Sequence, residues 1–118
     1  MPLNRPTNAT REISINALAV TDTALKTGST IDISDCVDYL LGVTNTLNQA
    51  GNLQVQYSID NGGTWVNLGT AVPAAATTSF TSTIAAPKPF FGLIRIQYTA
   101  TLAPASGTIT ATIHKRYS

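Results

Sequence analysis

Few side chains in this sequence have the type and spacing for chemistry, and each such group points to a different process. Ser58-Ile59-Asp60-Asn61-Gly62-Gly63-Thr64-Trp65 fits the Asp-box pattern S-x-D-x-G-x-T-W at every defined position. The pattern describes a hairpin turn. Asp60 bonds backbone amides across the turn, Gly62 and Gly63 accept positive φ, and Trp65 packs its ring on the strand pair. Asp32, Asp35 and Asp38 stand three apart with Asp22 nearby, and clustered carboxylates offer calcium the hard oxygens it prefers. The spacing is not that of an EF-hand, and alternation along a strand sends Asp32 and Asp35 to opposite faces. A solvated loop edge is the expected role. Cys36 is the single cysteine and His114 the single histidine, which excludes a disulfide framework, a cysteine-cluster metal site and a histidine pair for zinc. Cys36 is expected to be a small buried hydrophobe. His114, Lys115 and Arg116 form a basic cluster at the end of the last strand, and Arg5 and Arg11 add charge near the start. These five are the candidate contacts with an acidic partner surface or phosphate. Without interleaved aromatics they do not build a nucleic-acid platform. With no nucleophile–base pair and no phosphate loop, no catalytic, cofactor-binding or metal-binding residue is expected.

The elements that must position these residues are strands. Met1 to Thr10 carries two prolines and two asparagines without periodicity, and reads as an extended N-terminal arm ahead of one domain over 11–118. From Arg11 the apolar period is two, with Ile13, Ile15, Ala17 and Ala19 on one face. A short strand at Thr30–Ser34 follows a turn around Lys26-Thr27-Gly28. Tyr39 to Thr46 is strand-like, with a single helical turn over Ser34–Leu41 as the alternative. Leu53–Ile59 is apolar at every odd position, Asp60–Gly63 turns the chain, and Thr64–Leu68 returns it. Val72–Ala76 connects to a strand over Thr77–Ala85 centred on Phe80. Ile94, Ile96, Tyr98 and Ala100 alternate with polar neighbours, as do Ile109, Ala111 and Ile113 beyond the Pro104–Gly107 turn. Seven to nine such strands predict an all-β fold, an antiparallel β-sandwich of jelly-roll or Ig-like type.

Composition sets the surroundings of that sandwich. The chain has 118 residues, enough for one compact domain, and 43% hydrophobic residues to fill a core. Charged residues are 11% and the net charge is +1, against a usual charged share of roughly a quarter. No field attracts nucleic acid or an acidic membrane. Thr, Ala, Ser, Asn and Gly take the missing places, which predicts a neutral, hydrogen-bonding exterior suited to permanent association. Two strands add to this expectation. Leu93 points opposite to Ile94, Ile96 and Tyr98, and Leu18 and Val20 point opposite to Ile13 and Ile15, so an outer apolar face needs a cover. No segment approaches the roughly 20 apolar residues of a membrane span, and the polar start does not read as a secretory signal. Synthesis and use in a cytoplasm is the expectation.

Gly28-Ser29-Thr30-Ile31-Asp32-Ile33-Ser34, Val37–Val43, the hairpin Leu53–Leu68 and the pair Arg95–Tyr98 with Gly107–Thr110 together resemble the small β-sandwich proteins that tailed phages place on their virions. The likeness of pattern covers most of 28–114. It implies a non-enzymatic virion protein, a capsid decoration (cement) or head-fibre base protein. The partner implied is the major capsid protein lattice or another virion protein, and the arm would dock on a capsid subunit. A homo-oligomer is implied, a trimer by the three-fold positions that decoration proteins often occupy. The second reading is a carbohydrate-binding or receptor-binding module of a tail or surface protein. For that role Tyr39, Trp65, Phe90, Phe91 and Tyr117 are the uncommitted aromatics, whereas Tyr57, Phe80 and Tyr98 fall on core faces. Asp-boxes also recur in the blades of sialidase propellers. That fold needs several blades and a catalytic set of arginine, tyrosine and carboxylate, and one box in a chain this short does not supply them.

Overall fold

The computed structural model describes residues 9–34, 36, 38–83 and 92–116, and every regular element among them is a strand. These are β1 (Ala9–Leu18), β2 (Lys26–Thr27), β3 (Ile31–Asp32), β4 (Asp38–Asn45), β5 (Gly51–Ser58), β6 (Val66–Asn67), β7 (Val72–Ala74), β8 (Thr78–Thr83), β9 (Leu93–Ala100) and β10 (Ile109–Arg116). Period-two alternation makes the long ones. Along β9, Ile94, Ile96, Tyr98 and Ala100 are buried while the residues between them are not. Such a pattern satisfies a pleated strand with one face on a core.

One sheet has the order β1-β10-β4-β8, and the other β2-β9-β5-β6, with β3 also on β9 and β7 also on β5. The ladders are antiparallel. β2 with β3, and β6 with β7, each act as one interrupted strand. The chain then passes from sheet to sheet at almost every step, and only β5 and β6 are sequential neighbours within a sheet. That crossing order is a jelly roll. The Ig-like alternative keeps more consecutive strands together and is not what forms. Between the sheets Ile33, Leu41, Leu47, Leu53, Ile94, Ile96, Tyr98, Ile109 and Ile113 are fully buried, with Tyr57 and Phe80 partly buried against them.

β1 departs from simple alternation. Its register on β10 shifts between Ile13 and Ile15 and again between Ile15 and Leu18, and Ala17 takes φ 45°. An inserted residue moves the following side chains to the other face. Ile15 and Val20 are therefore buried and Leu18 packs against the core, whereas Ile13 is 41% exposed. This corrects the expectation that Leu18 and Val20 lie opposite Ile15 as an outer apolar patch: the bulges fold them inward.

The bulged region is also where the two sheets are tied. The buried Ser14 hydroxyl donates to the Ser29 carbonyl at 2.8 Å and accepts from the Ile96 amide at 3.2 Å. The Ser29 amide returns a bond to the Ser14 carbonyl at 2.7 Å. Gly28 passes so close that a Cβ there would stand 2.4 Å from the Ser14 hydroxyl oxygen.

Smaller differences follow the same logic. β1 begins at Ala9, two residues inside the segment assigned to the arm; 1–8, with Arg5, lie outside the described residues, as do Asp35, Phe90, Phe91 and Tyr117. Lys26–Thr27 and Val72–Ala74, expected as turn and connection, pair with β9 and β5. Against the alternative helical turn over 34–41, residues from Asp38 on are strand, and the Cys36 amide donates to the Ile33 carbonyl at 3.3 Å just before β4. Cys36 is buried and its thiol donates to the same carbonyl at 3.2 Å.

Candidate functional site

The turn after β5 is held by two side chains. The Ser58 hydroxyl donates to Asp60 Oδ1 at 2.7 Å and accepts the Gly62 amide at 2.8 Å. The Thr64 amide donates to the same Oδ1 at 2.8 Å, and the Gly63 amide to the Asp60 carbonyl at 3.3 Å. These donors, Ser58 first and Thr64 next, hold the Asp60 carboxyl below its usual pKa. Positive φ falls on Asn61 (61°) and Gly62 (93°), the two central positions of a type I′ turn. Gly63, expected to share that role, instead leaves room beside the Asp60 carboxylate, whose Oδ2 would lie 3.2 Å from an added Cβ. Trp65 is half-buried and the Arg95 guanidinium lies over its ring, 4.2 Å from the centroid. The ring that could have stacked on a sugar is already stacked on a cation.

The basic cluster does not stay together. Lys115 continues the inward series Ile109, Ala111, Ile113 and is only 4% exposed. Its ammonium pairs with Glu12 of β1 and donates to the Asp32 carbonyl at 2.8 Å. It ties β10 to β1 and β3 and is not offered to a partner. Arg116 is exposed, 3.6 Å from Asp38. His114 faces outward, opposite Arg11 in the β1–β10 register. The aspartates are likewise engaged locally. Asp22 pairs with Lys26 at 2.9 Å and accepts the Ala24 amide, while Asp32 accepts the Ser34 amide at 2.8 Å. The pKa values of both carboxyls are lowered by these bonds. No metal-ligating group of three or more assembles among the described residues.

Arg11 and His114 stand at one side of a groove of about 670 Å³ on the outer face of the β1-β10-β4-β8 sheet. Ile13 of β1 lies next to them, and Thr110 and Thr112 of β10 continue the row. Gly42 and Thr44 of β4 and Ser79 and Thr81 of β8 line it further, with Asn16, Val43 and Phe80. Gly42 sets the floor: a Cβ there would stand 2.4 Å from His114 Nε2 and 2.9 Å from Thr112 Oγ1. Glycine lets the imidazole lie down on the sheet. The Thr112 hydroxyl lies within hydrogen-bonding distance of the Gly42 carbonyl, at 3.3 Å, and of His114 Nε2, at 3.1 Å. Sequence reasoning singled out Arg11 and His114 but not the hydroxyls between β10 and β8. Their signal was present as outward positions filled by Thr, Ser and Gly, on strands far apart in the chain.

No protein-family profile matches the chain, and no curated protein matches it. Solved structures do. The crystal structure of PirA superimposes with a TM-score of 0.54 over 96% of this chain and 97% of its own, at 11% identity. A chain from the structure of infectious bursal disease virus, Gx strain, superimposes with a TM-score of 0.54 over 92% of this chain at 7% identity, and this chain spans 32% of its length. At these identities the likeness is one of fold. The jelly roll is a class that serves viral capsids and lectins alike.

Proposed function

We propose that this chain is a non-enzymatic structural module of a virus particle, a capsid decoration protein that binds the major capsid protein lattice of a tailed phage, stabilises the head and works as a homo-oligomer, most simply a trimer. The observation that carries the reading is a jelly roll poor in charge, only 11% of residues being charged. A surface of that kind is suited to a lattice rather than to solitary life in solution. The fold shared with a chain of infectious bursal disease virus supports the class. Leu25 and Leu102, 57% and 61% exposed, lie at the end where the chain enters β2 and leaves β9, and supply apolar contact there. A stable contact buries about 1,200–2,000 Å² in total.

Particles lacking the protein, mixed with purified chain and sedimented, are expected to carry it and to resist heat better than bare ones. A monodisperse monomer at high concentration that leaves such particles bare overturns the reading. A second reading, a receptor- or carbohydrate-binding module, is favoured by one observation, the hydroxyl-lined groove beside Arg11 and His114.

A further inference from the structure

We infer that the groove on the outer face of the β1-β10-β4-β8 sheet binds a carboxylate-bearing saccharide, with Arg11 and His114 receiving the carboxylate and the Thr and Ser side chains receiving the sugar hydroxyls. The inference rests on the second reading above and is independent of any attachment to capsids. Its volume, about 670 Å³, falls in the usual range for small-molecule sites.

Charge complementarity names the anion. Among the described residues that line the groove, Arg11 and His114 are the only ones that carry or can take charge, and both are cationic types. The Arg11 guanidinium has no ion pair or hydrogen bond among the described residues. His114 spends Nε2 on Thr112, and its Nδ1 has no partner among them; with Nε2 accepting from the Thr112 hydroxyl, Nδ1 carries the proton and can donate to a carboxylate. A guanidinium fork matches a planar carboxylate in two parallel bonds.

The saccharide follows from the rest of the lining. In the middle of the floor β10 and β4 are each paired on both sides, so that part presents no row of free backbone groups to an extended peptide. It presents hydroxyls instead. Thr44, Ser79 and Thr81 are exposed, and their hydroxyls have no partner among the described residues. A hydroxyl both donates and accepts, as a sugar hydroxyl does. An array of them reads a polyol in either sense of each bond, and Ile13 adds an apolar spot for a ring face.

The test uses the intact, isotope-labelled protein and amide NMR titration with four probes: tetragalacturonate, its fully methyl-esterified form, 3′-sialyllactose and tetraglutamate. At least one of the two acidic sugars is expected to shift the amides of 11, 42–44, 79–81 and 110–114. The methyl ester should bind about tenfold more weakly than the acid, and Arg11→Gln should weaken the acid by about the same factor. Arg95→Gln, on the other sheet, should change nothing. Absence of shifts on this face with both acidic sugars overturns the inference. So does tetraglutamate binding as tightly as the sugars, which would mark an acidic-peptide site, or an ester that binds as well as the acid. Should Arg11→Gln not fold, the ester comparison carries the same question on the native chain.

Discussion

The two sheets turn opposite kinds of polar surface to solvent. On the β2-β9-β5-β6 sheet the outer side chains are long and they bond one another. Arg95 donates to Gln56 at 3.0 Å and covers Trp65, and Gln56 donates to Asn67 at 2.9 Å. Gln97 donates to Thr27 at 3.2 Å, and Gln54 reaches the Val55 and Gly69 carbonyls. On the β1-β10-β4-β8 sheet, Arg11 and His114 apart, the polar side chains of the groove are mostly short. Ser79 stands opposite Thr44 in register, yet neither hydroxyl bonds the other. Strands about 4.8 Å apart are bridged easily by an amide or guanidinium arm and poorly by a hydroxyl on Cβ. Equal polarity therefore has two outcomes. Long side chains close a face upon itself; short ones leave its hydrogen-bonding capacity for something outside.

Glycine substitutions probe that contrast most strongly. Gly51→Ala would set a Cβ 2.2 Å from the Tyr98 hydroxyl and 2.7 Å from the Thr99 carbonyl, both fixed in the core. It should cost about 2–3 kcal/mol in chemical denaturation. Gly42→Ala meets the half-buried His114 ring, which can swing outward, and the Thr112 hydroxyl at 2.9 Å, both side chains rather than backbone, and should cost about 1 kcal/mol while lifting that ring off the groove floor. The Tyr98 hydroxyl has no hydrogen-bond partner among the described residues. Tyr98→Phe should thus be neutral or stabilising by up to about 1 kcal/mol, and Gly51→Ala should be milder in that background. Equal losses at Gly51 and Gly42 would break the contrast.

At the turn, Gly62→Val places a β-branched residue at φ 93°, and a loss of about 1–3 kcal/mol is expected. Arg95→Ala unlaces one face and should lower stability by about 1 kcal/mol. Thr81→Ala on the other face should stay within about 0.5 kcal/mol. Thermal melts of the pair decide whether the faces differ as described. The smallest effect is that of pH on the turn. The Asp60 carboxyl is held below its usual pKa by Ser58 and Thr64, so its contribution is complete above about pH 4 and fades as the pH falls through the lowered value. The protection factor of the Thr64 amide, its exchange relative to the intrinsic rate at each pH, should fall on acidification in the native chain and stay constant in Asp60→Asn.

Legibility in the sequence followed the range of the interactions. The β5 strand, its Asp60 turn and the alternation of β9 and β10 depend on neighbours in the chain, and those residues announce them. The bulge at Ala17 does not announce itself, because alanine has no preference for φ 45°. What holds it is remote: the Ala17 amide donates to the Thr110 hydroxyl at 2.9 Å. Lys115 misleads for the same reason, since its inward turn is compensated by Glu12 and Asp32 from distant strands. The groove was half visible. Outward hydroxyls could be read from alternation along each strand, but that β10 lies between β1 and β4 could not.

The jelly-roll order also governs when this molecule is completed. β1 is the first of its strands to be made, and within its sheet it pairs with β10, the last. Its Ser14 hydroxyl awaits the Ser29 carbonyl and the Ile96 amide. At a synthesis rate of about 5–20 residues per second, β1 waits several seconds for its partner with Ile15 uncovered. Closure of this sheet waits until β10 has been made, and contacts of such long sequence separation make it slow. A chain stalled before Ile109 is left with the strand it began with still open to pairing by another copy.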